Sequence, residues 1–352
     1  MRNSAIFIVV LFAIYILSWL YDICGKMIFL TDIKISKYDF LSRAHSTIYM
    51  GVAALIIVIQ HIGGSFGTRI FTPLGGTGVA MFLIASGYGL NESYKNQKQK
   101  LLNNRQWGGG YWKHRLFRVF LPYALFEIIL IPYYGDFESI GLLLDITCLQ
   151  PRYWYFGILL INYLTFWFCI INEKSYRVRY LILGMCAVAI FFLGNALYAE
   201  QAASFMLGVL ISDHYDKSKK MVDCSWILVV IAFVAVAMLA VKQLPLVRTI
   251  EDTYLWYLIQ MIMKLSMAVF LIILTYRLQK LFQNRFIVWC GTVSMELYLI
   301  HYRMLRLFEI SMPVIYNIVL FIGCSLFGTW VLNLCVKQLT RLEKKVLKNS
   351  KL

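Results

Sequence analysis

The chain has 352 residues, of which 60% are hydrophobic and 15% are charged, whereas a soluble domain carries about a quarter charged residues. Apolar runs long enough to cross a bilayer, roughly 17–25 residues each, recur along the whole sequence. These runs are continuous rather than alternating, which argues against a β-barrel. The composition therefore excludes a soluble protein and predicts an all-α fold, a polytopic transmembrane helical bundle surrounded by membrane lipid.

The net charge is +16, which in a soluble protein would suggest nucleic-acid binding. Here the basic residues concentrate in loops: residues 92–118 contain seven basic residues and one acidic residue, and residues 337–352 contain six and one. Cytoplasmic loops of membrane proteins collect Lys and Arg in this way, so we expect no nucleic-acid partner. The eight cysteines are scattered without zinc-ligand spacing, and we expect no metal.

The first apolar run, Ala5–Ile23, lacks a clear small-residue cleavage site and is predicted to be a membrane helix rather than a signal peptide. Ten more candidate spans follow, near residues 46–62, 73–90, 115–133, 153–171, 178–194, 198–211, 225–242, 255–276, 288–305 and 311–335. The alternation of loop charge predicts that the C-terminus lies inside and the short N-terminus outside.

The stretch from Tyr49 to Leu90 consists of two apolar helices joined by a Gly-rich turn, and His61 closes the first of them. An ionisable residue at membrane depth is a functional candidate by default. Histidine exchanges a proton near neutral pH and suits general-base work on a hydroxyl. With no second histidine within helical reach, a zinc site here is not expected.

Other polar residues fall inside the predicted spans, and each is either functional or part of an interhelical hydrogen bond. A lysine and a glutamate among them can also pair across the bundle. These residues are Gln60, Glu127, Asn162, Lys264 and Glu296, with His301 near a helix end.

A basic helix start follows the longest polar loop, with Arg115 and Arg118 three residues apart. That spacing puts both guanidinium groups on one helix face, where they either clamp phosphates or anchor lipid head groups. The run Tyr153–Phe156 is purely aromatic. It fits an interfacial belt or a surface on which sugar rings stack.

Taken in order, these segments resemble the acyltransferase 3 family of bacterial membrane acyltransferases, especially members that O-acylate capsule, O-antigen and other exported glycans. The resemblance covers about residues 45–335. It rests on the helix ending in His61, then GGTGVAMFLIASGYGL, a basic loop into RLFRVFLPY, then RYWYFGILLINY and SMELYLIHY.

The resemblance implies a ten-helix membrane domain, residues 45–336, preceded by an extra helix and connector in residues 1–44 and followed by a basic cytoplasmic tail, residues 337–352. It also implies transfer of an acyl group, usually acetyl, from acyl-CoA to a hydroxyl of a cell-surface polysaccharide or its lipid-linked precursor at a bacterial plasma membrane. His61 matches the family histidine, and Arg115 with Arg118 matches the element that handles the acyl-CoA donor. Further substrate-binding or structural candidates are Ser86, Tyr88, Trp154, Glu296 and His301.

The sequence departs from the family at one position. An arginine often lies eleven residues before the family histidine, and here that residue is Met50. Arg43 shares the helix face of His61 but lies about 27 Å away along the axis. Either Arg43 or His45 serves the donor, or the donor chemistry has changed, or activity is lost. The departure leaves open an alternative, non-catalytic role in glycan export or transport.

Overall fold

The computed structural model describes residue 16 and residues 37–65, 70–99, 111–113, 115–131, 139–172, 175–307 and 314–349. Within these ranges the regular structure is entirely helical, which confirms the predicted all-α bundle. Apart from residue 16, the predicted first span Ala5–Ile23 lies outside the described residues, as do residues 66–69 of the Gly-rich turn.

The first half of the described chain contains α1 (Arg43–Ser65), α2 (Thr72–Gln99), α3 (Leu121–Ile129, preceded by a π-helix at Leu116–Phe120), α4 (Ser139–Ile146), α5 (Trp154–Ile171) and α6 (Tyr176–Leu193). The second half contains α7 (Ala196–Ala199), α8 (Ser204–Asp213), α9 (Tyr215–Asp223), α10 (Ser225–Gln243), α11 (Pro245–Arg248), α12 (Tyr254–Arg277), α13 (Gln279–Phe282), α14 (Arg285–Thr292), α15 (Ser294–Leu307) and α16 (Val314–Asn349).

Seven of the helices in the described residues are long and apolar enough to span a membrane: α1, α2, α5, α6, α10, α12 and α16. Each coincides with a span predicted from hydropathy. Pro73 lies in the first turn of α2, where its missing N–H is not required. Helix α10 is the least buried of the seven, as expected for a helix that faces lipid.

Three predicted spans are interrupted rather than continuous. In the span near 115–133, Pro122 cannot donate a backbone hydrogen bond to Arg118, and the turn before it widens into the π-helix. The span near 198–211 is broken at Glu200 and Gln201, whose side chains bond to other elements. Broken helices persist at membrane depth only where protein contacts satisfy the freed polar groups.

The third interruption, between α14 and α15, sets the direction of the helix that carries Glu296 and His301. The last turn of α14 is closed by the hydroxyl of Thr292 and the N–H of Val293, which both donate to the carbonyl oxygen of Trp289 at 2.7 and 3.1 Å. Helix α15 then starts a new hydrogen-bond ladder beside α1 and α16.

The centre of the bundle is α2, which packs against α1, α8 and α12. Its contact with α8 depends on two glycines. A Cβ atom at Gly87 would lie 2.1 Å from the carbonyl oxygen of Phe205, and one at Gly208 would lie 2.2 Å from that of Ile84. The glycine of the Ser86-Gly87-Tyr88 segment therefore lets two backbones meet, the kind of close approach that drives helix association in lipid.

Candidate functional site

His61, near the end of α1, lies beside His301 on α15. Their ring centres are 5.2 Å apart, and the ring of Tyr302 is 5.4 Å from that of His61. His61 is half-buried, whereas His301 is 1% exposed. Two residues singled out separately from the sequence thus form one histidine pair.

The hydrogen bonding of His301 differs from that of His45, the other fully buried histidine in the described residues. In His45, Nδ1 accepts from the N–H of Leu41 at 2.9 Å and Nε2 lies 3.0 Å from Oγ1 of Thr275, so both nitrogens have partners. In His301, Nδ1 lies 2.9 Å from the carbonyl oxygen of Leu297, while Nε2 has no hydrogen-bond partner in the described part of the chain. Because both of its nitrogens are paired, we interpret His45 as a structural residue. His301 instead keeps an unpaired acceptor at Nε2, and leaving a buried polar atom unpaired costs about 1–3 kcal/mol.

A buried charged pair includes Arg303, the residue two positions after His301. Arg303, on α15, has its Nη2 atom 3.9 Å from Oε1 of Glu127 on α3. The guanidinium carbon of Arg303 also lies 5.5 Å from the ring centre of Tyr153, whose hydroxyl donates to the carbonyl oxygen of Leu299 at 2.7 Å. Glu127 was one of the predicted intramembrane candidates, and its partner Arg303 was not recognised from the sequence.

A cavity of about 1040 Å³ opens at one end of the bundle, between α1, α2, the π-helix, α5, α15 and α16. Among the described residues that form its wall, Glu296 is the one carboxylate, and it accepts a hydrogen bond from the amide of Asn333 at 2.8 Å. Five basic side chains also line it: Arg43, Lys113, Arg118, Lys337 and Arg341. The cavity is therefore strongly electropositive and attracts anionic ligands.

Three aromatic residues link this cavity to the histidine pair. Phe82, Tyr155 and Tyr298 all line the cavity and are buried, and the rings of Tyr155 and Tyr298 are 5.4 Å apart. The ring of Tyr298 in turn lies 5.9 Å from that of His301. Contacts run without a gap from the cavity through Tyr298 and His301 to His61.

The two arginines predicted to act together have different surroundings. Arg118, within the π-helix, lines the cavity. Arg115 precedes the π-helix, and its guanidinium carbon lies 4.6 Å from the ring centre of Tyr111. The wider π turn changes the angular spacing on which a shared helix face depends. The sequence has no clear signal for the π-helix other than Pro122.

The remaining candidates separate by location. Ser86 lines the basic cavity, and its Oγ atom accepts from the hydroxyl of Tyr163 at 3.4 Å. Tyr88 lines a second cavity, of about 620 Å³, at the end of α2 and α8. Trp154 is half-buried with its ring 6.2 Å from that of Tyr198. Of these three residues, the structure brings only Ser86 to the basic cavity.

The other intramembrane polar residues make structural contacts. Lys264 forms a buried ion pair with Glu200 rather than with Glu127 or Glu296, and the side-chain amide of Asn162 donates to the carbonyl oxygen of Ile158 within its own helix. Among the described residues, no group of three or more His, Cys, Asp or Glu side chains is arranged to hold a metal ion.

Comparison with known proteins gives one match. A family model described as an acyltransferase domain, Acyl_transf_3, matches residues 51–335. No curated protein and no solved structure matches the chain. The matched range contains His61, Arg115, Arg118 and His301, and it ends within α16.

Proposed function

This chain belongs to the acyltransferase 3 family and is a membrane acyltransferase, and we propose that it moves an acetyl group from acetyl-CoA to a hydroxyl of a cell-surface polysaccharide or its lipid-linked precursor. The observation that carries the proposal is the basic cavity, whose aromatic inner residues contact the His61–His301 pair. In this proposal the anionic donor binds in the cavity, and its thioester approaches His61 past Tyr298, whose ring lies between the cavity and His301.

The basic cavity suits coenzyme A, which carries several phosphate groups on an elongated molecule. Guanidinium and ammonium groups bind phosphates through charge-assisted hydrogen bonds. Arg118 supplies one of them, Arg43 is one of the two residues considered above for the donor, and Lys337 and Arg341 add further positive charge. Because cytoplasmic regions collect basic residues, the cavity mouth faces the cytoplasm, where acyl-CoA is made.

The rings of Phe82, Tyr155 and Tyr298 favour a short acyl group. They pack edge to face or tilted, with centres 5.4 to 6.5 Å apart, and all three are buried. An acyl chain that reaches this end of the cavity meets aromatic surface rather than open space. We therefore infer acetyl as the transferred group.

His61 acts as general base in this proposal. It takes the proton of the acceptor hydroxyl as that oxygen attacks the thioester carbonyl carbon, so a C–O bond forms and the C–S bond breaks. The proton then passes from His61 to the departing thiolate sulfur. His61 lies 18 residues along α1 from Arg43, about 27 Å, so the acceptor approaches from the outer side of a bacterial plasma membrane.

The proposal is tested with full-length protein in lipid nanodiscs, labelled acetyl-CoA and membranes of the source cell that carry its lipid-linked glycans. His61→Ala is expected to lower transfer at least 100-fold, a typical loss for a general base, and to leave acetyl-CoA binding unchanged. His214→Ala is the matched control, because His214 lies at the other cavity, between α8 and α9. Wild-type transfer by His61→Ala would contradict the assigned role.

Donor turnover also distinguishes the proposal from the export or transport alternative. Label released from acetyl-CoA, or appearing on glycan only when the wild-type protein is present, supports transfer. If the folded protein neither binds nor turns over acetyl-CoA, the transport alternative is favoured. Glycan from cells with and without the gene, compared by NMR, then identifies the sugar and the acetylated position.

A further inference from the structure

The two ring nitrogens of His301 are chemically distinct. Nδ1 lies 2.9 Å from the carbonyl oxygen of Leu297, one turn earlier on α15. A carbonyl oxygen only accepts hydrogen bonds, so Nδ1 carries the proton and Nε2 presents a lone pair. The protein backbone thus sets the tautomer of His301 before any substrate binds.

The lone pair on Nε2 of His301 is buried and has no hydrogen-bond partner in the ranges that the structure describes. Buried polar atoms are usually paired, and an exception calls for an explanation. The nearest imidazole is that of His61, with ring centres 5.2 Å apart and an angle of 47° between the ring planes. Catalytic hydrogen bonds are often long in the absence of substrate and shorten when it binds.

We propose that His301 is a positioning residue for the transfer, whose Nε2 atom accepts the N–H of His61 once substrates are bound. This inference rests on the proposed function, in which His61 is the general base. With one nitrogen donating to His301, the other nitrogen of His61 carries a free lone pair and faces the acceptor hydroxyl. The arrangement follows the general rule that a catalytic base is itself oriented by a third group.

The neighbouring Arg303 does not fit this role. Arg303 has only donors and lies beside Glu127, so it cannot accept the N–H of His61. The ring of Tyr302 meets that of His61 nearly edge-on, at 68°, with ring centres 5.4 Å apart. A neutral acceptor such as His301 stabilises the imidazolium that forms on His61, and the proton still leaves through His61 to the thiolate sulfur.

Three substitutions at one position test the proposal. In His301→Gln the amide oxygen reaches about as far as Nε2, whereas the side chain of His301→Asn reaches only as far as Nδ1. We expect His301→Ala and His301→Asn to lower kcat about 100-fold, in the range for losing a base or its orientation. KM for acetyl-CoA should stay within about twofold, and His301→Gln should recover about tenfold of the lost kcat.

These measurements use full-length protein in nanodiscs, with rates normalised to the fraction that binds acetyl-CoA. His45→Ala is the structural control, since His45 is equally buried but fully hydrogen-bonded; it should lower the yield of folded protein without changing kcat per binding site. Where His301→Ala does not fold, the difference between the Gln and Asn variants decides the outcome.

The results separate this inference from the proposed function. Loss of transfer in His61→Ala with near wild-type kcat in His301→Ala overturns the positioning role alone. Equal impairment of the Gln and Asn variants also overturns it, because a structural role does not depend on an acceptor at the Nε2 position. Full activity of His61→Ala would remove the proposed function itself.

Discussion

Arg43 and Met50 lie on the same helix, seven residues apart, and both line the basic cavity. Met50 occupies the position where the family often has an arginine. Two helical turns separate the residues, about 10 Å, so Arg43 contributes positive charge closer to the cavity mouth. Of the two residues considered as a replacement, Arg43 lines the cavity and His45 is hydrogen-bonded in the core.

Removal of the Arg43 charge is expected to weaken donor binding. Arg43→Gln should raise KM for acetyl-CoA at least about tenfold, as expected from the loss of about 1.5–3 kcal/mol for a hydrogen bond to a charged group, and should leave kcat within about threefold. The control is Arg177→Gln, an exposed arginine on α6 outside the cavity. Steady-state kinetics with both variants measure the effect, and an unchanged KM would show that Arg43 does not touch the donor.

A smaller residue at the inner end of the cavity is expected to change acyl selectivity. Tyr155→Ala removes one of three contacting rings and should raise the rate with butyryl-CoA relative to acetyl-CoA by about tenfold, since each buried methylene is worth about 0.8 kcal/mol. Phe192→Ala, at a half-exposed ring on α6, is the control. Competition between the two donors measures the ratio, and an unaltered ratio would place the acyl group elsewhere.

The buried pair of Lys264 and Glu200 is expected to support folding rather than chemistry. Lys264→Met leaves the carboxylate of Glu200 without its partner, at a cost of about 3–5 kcal/mol, and should lower the thermal unfolding temperature in detergent. The double variant Lys264→Met/Glu200→Gln should recover much of the loss. Lys219→Met, which breaks an exposed pair with Asp39, should change little. A single variant as stable as wild type would contradict the pairing.

Gly87 and Gly89 provide a matched test of the contact between α2 and α8. A Cβ atom at Gly87 would collide with the backbone of Phe205, whereas at Gly89 no atom lies within 4 Å. Gly87→Ala should therefore destabilise the bundle and reduce folded yield, while Gly89→Ala should be neutral or slightly stabilising, because alanine favours helix. Size-exclusion profiles and unfolding temperatures compare the two variants, and similar values would argue against the close approach.

Local properties of the sequence predicted much of this fold. Hydropathy located the seven long helices, since burial in lipid requires about twenty consecutive apolar residues whatever their neighbours are. Pro73 lies in the first turn of α2 for an equally local reason. The interruptions before Ser294 and after Ala199 were not predicted, because contacts with other helices, which no local pattern shows, satisfy the broken backbone.

For the candidate site as well, local sequence properties predicted some residues and contacts between helices decided the others. The sequence by itself determined a membrane bundle with basic loops and identified His61 as a candidate functional residue, because charge and hydropathy are properties of short segments. Only the tertiary structure decided that His301 is the neighbour of His61, that Arg118 rather than Arg115 lines the basic cavity, and that His45 is structural. Those relationships join residues far apart in the chain, and helix packing, rather than any local pattern, sets their distances.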